Sequence, residues 1–146
     1  MDNLSKFSER LHELMLDAQL NTYSLNAAVG IPRQSIGNWI ANRNKYLPTL
    51  KNLVKLADYF CCSLDFILGL ENENYLKNPK PRPPFSERFR KAVENMGFNL
   101  YKVGKLTNMD TSQYYDWINA KSEPSIDSLV RIAAVLGCSI DYLVGR

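Results

Sequence analysis

The sequence predicts an all-α protein built from two tandem five-helix domains joined by a Pro-rich linker. Three observations support this prediction: apolar residues recur at helical spacing, the second half of the chain repeats the first, and four prolines lie within seven residues between the repeats. No segment shows the apolar–polar alternation that is typical of a half-buried strand. We therefore expect only helices.

The repeat becomes visible when the chain is shifted by 78 residues. Phe7–Arg10 then aligns with the identical segment Phe85–Arg88. After a two-residue deletion, the Cys-Ser-x-Asp motif that begins at Cys62 aligns with the one at Cys138. Ordered matches of this kind mark two copies of one structural unit.

Domain boundaries follow from the repeat. We predict an N-terminal domain over residues 1–70, a linker over 71–84 and a C-terminal domain over 85–146. The prolines prevent a helix in the linker and favour an extended polyproline stretch. Its 14 residues can then reach on the order of 40 Å, close to the roughly 34 Å between DNA half-sites one turn apart. It is equally possible that the linker is a simple tether whose length is unrelated to the spacing of DNA half-sites.

Each domain is predicted to contain five helices. The first runs from about Asn3 to Gln19, and its counterpart begins at Ser86, because apolar side chains keep helical spacing there. Two short helices follow, and Gly30 supplies the left-handed exit of the first of them. Polar residues that can cap the helices mark the remaining helix starts: Asn21, Thr49, Ser63, Asp110, Ser125 and Ser139.

The third helix has two different faces. Ile36, Trp39 and Ile40 share one apolar face at i, i+3, i+4 spacing. The opposite face carries short or hydrogen-bonding residues, namely Arg33, Gln34, Gly37 and Asn38. A helix that is held from one side and polar on the other suits insertion into the major groove of DNA.

Composition limits the class of protein. The hydrophobic share of 45% and the charged share of 23% are typical of soluble globular proteins. No apolar run approaches the roughly 20 residues that cross a bilayer, and the start MDNLSKFSER lacks the order of a signal peptide. We therefore expect a cytoplasmic protein without membrane association. The net charge of +3 permits a nucleic-acid partner without demanding one.

No pattern in the sequence indicates catalysis, a cofactor or a metal. Asp65 and Asp141 recur as one carboxylate per copy, which fits a first-turn helix residue better than half of an acid–base pair. The three cysteines and the single His12 lack metal-ligand spacing, so we interpret the cysteines as buried thiols. No Gly-rich phosphate loop and no small-molecule site is evident. We therefore expect a protein that is not an enzyme.

Two sequence blocks in each copy carry a resemblance to a known family. In the first copy they are L-x-x-A-V-G-I-P-R-Q-S-I-x-x-W and L-P-T-L-x-x-L-V-K-L-A-D-Y-F-x-x-S-L-D-F-I-L-G. In the second they are M-D-T-S-Q-Y-Y-D-W and S-E-P-S-I-D-S-L-V-R-I-A-A-V-L-G-C-S-I-D-Y-L-V-G. Each copy thus resembles the lambda-repressor-like helix-turn-helix domain of the Cro or XRE type. The resemblance implies binding to double-stranded DNA through recognition helices at about 33–42 and 111–120.

The resemblance also implies which residues contact DNA. Base contacts fall on Arg33, Gln34 and Asn38 in the first copy and on Thr111, Ser112 and Asp116 in the second. Arg suits guanine, and Gln or Asn suits adenine. Phosphate contacts fall on Asn21, Thr22, Arg43, Asn44 and Lys45 in the first copy and on Asn99, Lys102 and Lys121 in the second.

The second copy departs from this pattern on its DNA side. Leu100 replaces a polar phosphate ligand, and Asp116 brings a negative charge toward a polyanion. The second copy therefore either reads an unlike half-site or keeps the fold without the groove chemistry. As a whole, the sequence predicts a transcriptional regulator of the repressor type. The alternatives are a protein-interaction module, such as an antitoxin or adaptor, and a homodimer joined through the fifth helices.

Overall fold

A computed structural model of the chain describes residues 2–76, 83–97 and 100–146. Within these residues the protein contains ten α-helices and no strand. The chain divides into two compact units, Met1–Pro79 and Lys80–Arg146. The predicted all-α class is therefore confirmed.

The first unit contains five helices: α1 (Asn3–Asp17), α2 (Thr22–Val29), α3 (Arg33–Ile40), α4 (Leu50–Tyr59) and α5 (Leu64–Ile67). α1 packs against α3 and α5, while α2 contacts α3 and α4. The helices enclose one core of fully buried apolar side chains, which include Phe7, Leu11, Leu25, Ile36, Leu53, Leu56 and Leu64. The apolar positions at helical spacing thus form the core of the unit.

The second unit repeats this arrangement with α6 (Phe85–Asn95), α7 (Leu100–Thr107), α8 (Thr111–Ile118), α9 (Ile126–Leu136) and α10 (Ile140–Val144). α6 packs against α8 and α10, and α9 contacts α7 and α10. α6 begins one residue before its predicted start, with Pro84 at the N-cap position. The core of this unit is richer in aromatic contacts, formed by Phe85, Phe89, Tyr114 and Trp117.

The predicted helix caps are present. In each of them a side-chain oxygen accepts a hydrogen bond from a backbone N–H two or three residues further on: Asn21 from Ser24, Thr49 from Asn52, Ser63 from Phe66, Asp110 from Ser112, Ser125 from Ser128 and Ser139 from Tyr142. At the start of α2 the Ser24 hydroxyl also accepts from the Asn21 N–H, which completes a capping box. Each cap contributes about 1 kcal/mol.

Three helices are two residues shorter than predicted. α1 ends at Asp17 rather than at Gln19, and the recognition helices predicted over 33–42 and 111–120 also end two residues early. A backbone in the left-handed region cannot continue a right-handed helix. The residue two positions past each helix end has such a backbone, with φ of 56° at Gln19, 54° at Asn42 and 60° at Ala120.

Part of the predicted linker, residues 71–84, is tied to the first unit. The Oδ1 atom of Asn74 accepts from the Ser63 N–H at 3.0 Å, and Nδ2 donates to the Cys61 carbonyl at 2.8 Å. Residues 71–76 therefore extend the first unit. The predicted polyproline stretch falls largely on residues 77–82, which lie outside the described residues.

The arginine of the repeated Phe-Ser-Glu-Arg motif holds the fifth helix of each unit. Arg10 donates from Nη1 to the carbonyls of Phe66 at 2.5 Å and Glu71 at 3.1 Å, and its Cζ lies 3.9 Å from the Phe66 ring centroid. Arg88 donates from Nε to the Tyr142 carbonyl at 2.9 Å, and its Cζ lies 4.5 Å from the centroid of the Tyr142 ring. Although α1 carries charged residues of both signs, the Arg10 side chain is only 14% exposed, because it packs against α5.

Candidate nucleic-acid interface

The candidate recognition helix α3 is held by its apolar face. Ile36 and Trp39 are buried, and Trp39 meets the Phe7 ring edge-on with the ring centroids 5.8 Å apart. The carbonyl of Ile40 accepts from the Ser8 hydroxyl of α1 at 3.5 Å. Contacts with α1 and α2 therefore set the orientation of α3.

The residues predicted to contact bases lie away from this buried face. Arg33 and Gln34 are exposed in the first turn of α3, whereas Asn38 is half-buried. Gly37 is half-buried beside α2, and a Cβ added there would meet Cγ2 of Thr22 at an ordinary contact distance of 3.9 Å. The exposed hydrogen-bonding groups are thus concentrated at the N-terminal end of α3.

Tyr23, to which the sequence pattern assigns no role, lies against Arg33. It is the second residue of α2 and is 65% exposed. The Cζ atom of Arg33 lies 4.2 Å from the centroid of its ring, which is a cation–π distance. The one available signal in the sequence was that Tyr23 recurs as Tyr101 in the second copy.

The predicted phosphate ligands of the first unit flank α3. Asn21 is exposed at the start of α2, but its side-chain oxygen already accepts from the Ser24 N–H. Arg43 and Lys45 are exposed in the segment after α3. Asn44 between them is half-buried and donates from Nδ2 to a backbone carbonyl of α3 at 3.4 Å. The exposed positive charge next to α3 therefore comes from Arg43 and Lys45.

The corresponding helix of the second unit, α8, presents different chemistry. Thr111 is its first residue, and the Thr111 side chain lies outside the described part of the chain. Ser112 and Asp116 are exposed. Tyr115, which is 58% exposed, stands where α3 has Gly37. A large ring and a carboxylate thus occupy the positions at which α3 has the small, uncharged residues Gly37 and Asn38.

Exposed lysines accompany α7 and α8. Lys102 lies on α7, and Lys121 follows α8. Lys105, also on α7, has its Nζ 5.5 Å from the ring centroid of Tyr101. Asn99, the remaining predicted phosphate ligand, lies outside the described residues. The second unit therefore has positive charge beside a helix that carries Thr111 at the position of Arg33.

A polar pair lies in the core behind α8. The hydroxyls of Tyr114 and Thr107 are 2.5 Å apart, and Thr107 also donates to the Val103 carbonyl at 2.7 Å. Burial raises the pKa of Tyr114 above its ordinary value of 10.0, and the opposing effects of the Thr107 hydrogen bond and the Arg131 charge are smaller. This pair belongs to the packing of the unit, because both side chains are buried.

The described residues offer no metal cluster and no membrane span. No three metal-ligating side chains come together among them, and none of their helices has the length and apolar character that a bilayer requires. Cys62 is buried, Cys138 is half-buried and Cys61 is exposed, so the prediction of three buried thiols is confirmed only for Cys62. The carboxylate of Asp141 forms a nearly buried ion pair with Arg146, with Oδ1 and Nη1 2.8 Å apart.

This geometry defines a helix-turn-helix protein, because each unit joins two short helices and buries only one face of the second. Residues 10–73 match the family model of the Cro/C1-type HTH (helix-turn-helix) DNA-binding domain, and residues 89–143 match a helix-turn-helix family model. The chain therefore belongs to the Cro/C1-type helix-turn-helix family and carries two tandem XRE-like copies, which confirms the resemblance. Comparisons with curated proteins and with solved structures gave no match.

Proposed function

We propose that the chain is a sequence-specific regulator of transcription that binds double-stranded DNA and acts as a repressor. Family membership supports the DNA-binding class, and one observation supports the specific mode. Arg33 and Gln34 are exposed at the start of α3, while Ile36 and Trp39 bury its opposite face. A helix of this kind can enter the major groove, where Arg suits guanine and Gln suits adenine.

Contacts with the DNA backbone would fix the register of α3. Asn21 and Thr22 stand at the N-terminus of α2, where backbone N–H groups and the helix dipole favour a phosphate. Arg43 and Lys45 provide exposed positive charge on the other side of α3. Such contacts position a protein on the duplex but carry no direct sequence information.

The tandem arrangement favours an operator with two unlike halves. The exposed Arg33 and Gln34 of α3 cannot prefer the same bases as Ser112 and Asp116 of α8. Joining two modules raises the effective concentration for the second binding event, so each half-site can be weak. A protein bound in this way across a promoter represses by occupying it.

Selection of the full chain on random DNA duplexes tests the proposal. We expect an enriched asymmetric sequence, and Arg33→Ala should lose roughly 1–3 kcal/mol of discrimination at one base position. Binding should weaken with salt, with a log–log slope of about 0.9 for each phosphate contacted. Failure to enrich any sequence, or binding that ignores salt, would contradict the proposal.

Two variants of equal charge provide the control for the salt dependence. Arg43→Ala should reduce the slope by about 0.9, because one phosphate contact is lost. Lys55→Ala removes the same charge from an exposed position on α4 and should leave the slope unchanged. Equal effects of the two variants would show that the slope reports net charge rather than the predicted surface.

A promoter reporter that carries the selected sequence tests the direction of regulation. The intact chain should lower expression, and Arg33→Ala should restore it. Higher expression in the presence of the chain would overturn the repressor assignment while leaving DNA binding in place.

A protein-interaction role for the second unit is the competing candidate. The observation in its favour is that Tyr115 and Asp116 form an exposed aromatic and acidic pair on α8. If this unit grips a protein, as in an antitoxin or adaptor, the footprint on DNA will cover one half-site and Tyr115→Ala will leave DNA affinity unchanged. Sedimentation of the complex will show whether one chain or a homodimer occupies the site.

A further inference from the structure

A contact between α2 and α3 places an aromatic ring against the first residue of the recognition helix. The Cζ atom of Arg33 lies 4.2 Å from the ring centroid of Tyr23. The Tyr23 side chain remains 65% exposed, so its ring is not a core residue. The contact therefore needs a reason other than packing of the hydrophobic core.

Stacking on a ring leaves the hydrogen-bonding groups of an arginine unused. A guanidinium that stacks on a ring with its flat face keeps its five N–H donors in the plane, where they point outward. Within the described part of the chain, the Arg33 side chain forms no hydrogen bond and no ion pair. A flexible side chain whose plane is already restricted loses less conformational entropy when it binds.

We infer that Tyr23 is a positioning residue that orients the Arg33 guanidinium for two parallel hydrogen bonds to O6 and N7 of a guanine. This inference rests on the proposed function, since it concerns how the same helix reads its site. Tyr23 acts through Arg33 and needs no contact with a base. It thereby becomes a determinant of specificity that lies outside the recognition helix.

The second unit provides an internal comparison. Tyr101 occupies the position of Tyr23 and is 66% exposed, but Thr111 replaces Arg33. Lys105 on the same helix has its Nζ 5.5 Å from the centroid of the Tyr101 ring. Tyr101→Leu is therefore a matched control that removes an equivalent ring without a recognition arginine.

The experiment measures Kd for the full chain on two duplexes. The first duplex has the selected sequence. The second duplex differs at one position: the guanine at which Arg33→Ala loses discrimination is replaced by adenine. Tyr23→Leu should weaken binding to the first duplex by roughly two- to fivefold, as expected for an exposed cation–π contact, and leave the second unchanged. Tyr23→Phe keeps the ring and should match the wild type. In an Arg33→Ala background, Tyr23→Leu should have no effect.

Nuclear magnetic resonance of the DNA-free chain tests the contact itself. The Arg33 δ-methylene protons should show an upfield ring-current shift that Tyr23→Leu abolishes and Tyr23→Phe retains. Tyr101→Leu should change neither this shift nor discrimination at the guanine.

Three results would overturn the inference: unchanged guanine discrimination in Tyr23→Leu, an equal loss in Tyr23→Phe, or an effect of Tyr23→Leu that persists without Arg33. The second result would identify the Tyr23 hydroxyl as the DNA contact. A chain that selects no duplex would refute the proposed function and this inference together. A chain that selects a duplex and is insensitive to Tyr23→Leu would refute only the inference.

Discussion

Arg10 anchors α5, and its contacts allow the effect of its replacement on the stability of the first unit to be estimated. Arg10→Ala removes hydrogen bonds to the carbonyls of Phe66 and Glu71 and the contact with the Phe66 ring, all made by a side chain that is 14% exposed. Hydrogen bonds from charged groups contribute about 1.5–3 kcal/mol and exposed cation–π contacts about 0.5–1 kcal/mol. Because Glu71 is exposed, we take the low values and expect the free energy of unfolding to fall by about 3.5 kcal/mol. The melting temperature should fall by roughly 15 °C.

Tryptophan fluorescence allows this loss to be assigned to one unit. The chain has two tryptophans, one in each unit, so a Trp117→Phe background leaves Trp39 as the reporter of the first unit during urea unfolding. Glu13→Gln removes only the 3.5 Å ion pair between Arg10 and the exposed Glu13, and should cost less than about 0.5 kcal/mol. A loss below about 1 kcal/mol for Arg10→Ala would refute the anchoring role.

Two further predictions concern the second unit. Ala120 has a φ of 60° at the position where the first copy has Asn42. Because glycine adopts this backbone without strain, Ala120→Gly should raise the free energy of unfolding by about 0.5–1 kcal/mol. A lower free energy of unfolding, measured by urea titration, would contradict this prediction. Burial raises the pKa of Tyr114 above 10.0, so the folded state keeps a proton that the unfolded state loses, and stability should fall as pH rises above about 10. Urea titrations at several pH values should show a smaller loss of stability at alkaline pH in Tyr114→Phe than in the wild type. If the stability of both proteins falls equally with pH, Tyr114 is not the cause of the loss.

Local patterns in the sequence were enough to predict the helices, their polar N-caps and their buried faces. Ser63 caps α5, and Ile36 and Trp39 are buried on α3, as the local patterns predict. These features depend on residues at most four positions apart, so the backbone geometry of one helix is enough to derive them. The exposed start of α3 with Arg33 was predictable for the same reason.

Contacts between residues far apart in the sequence became visible only in the folded structure. The contact of Arg10 with the Phe66 carbonyl joins residues 56 positions apart, and Asn74 turns back to Cys61 and Ser63 at the end of α4. Neither contact follows from apolar spacing, which predicts the face that a helix buries but not the orientation of its neighbours. Tyr23 and Arg33 meet only because α2 and α3 are packed at one particular angle, and the specificity proposed for α3 depends on that packing.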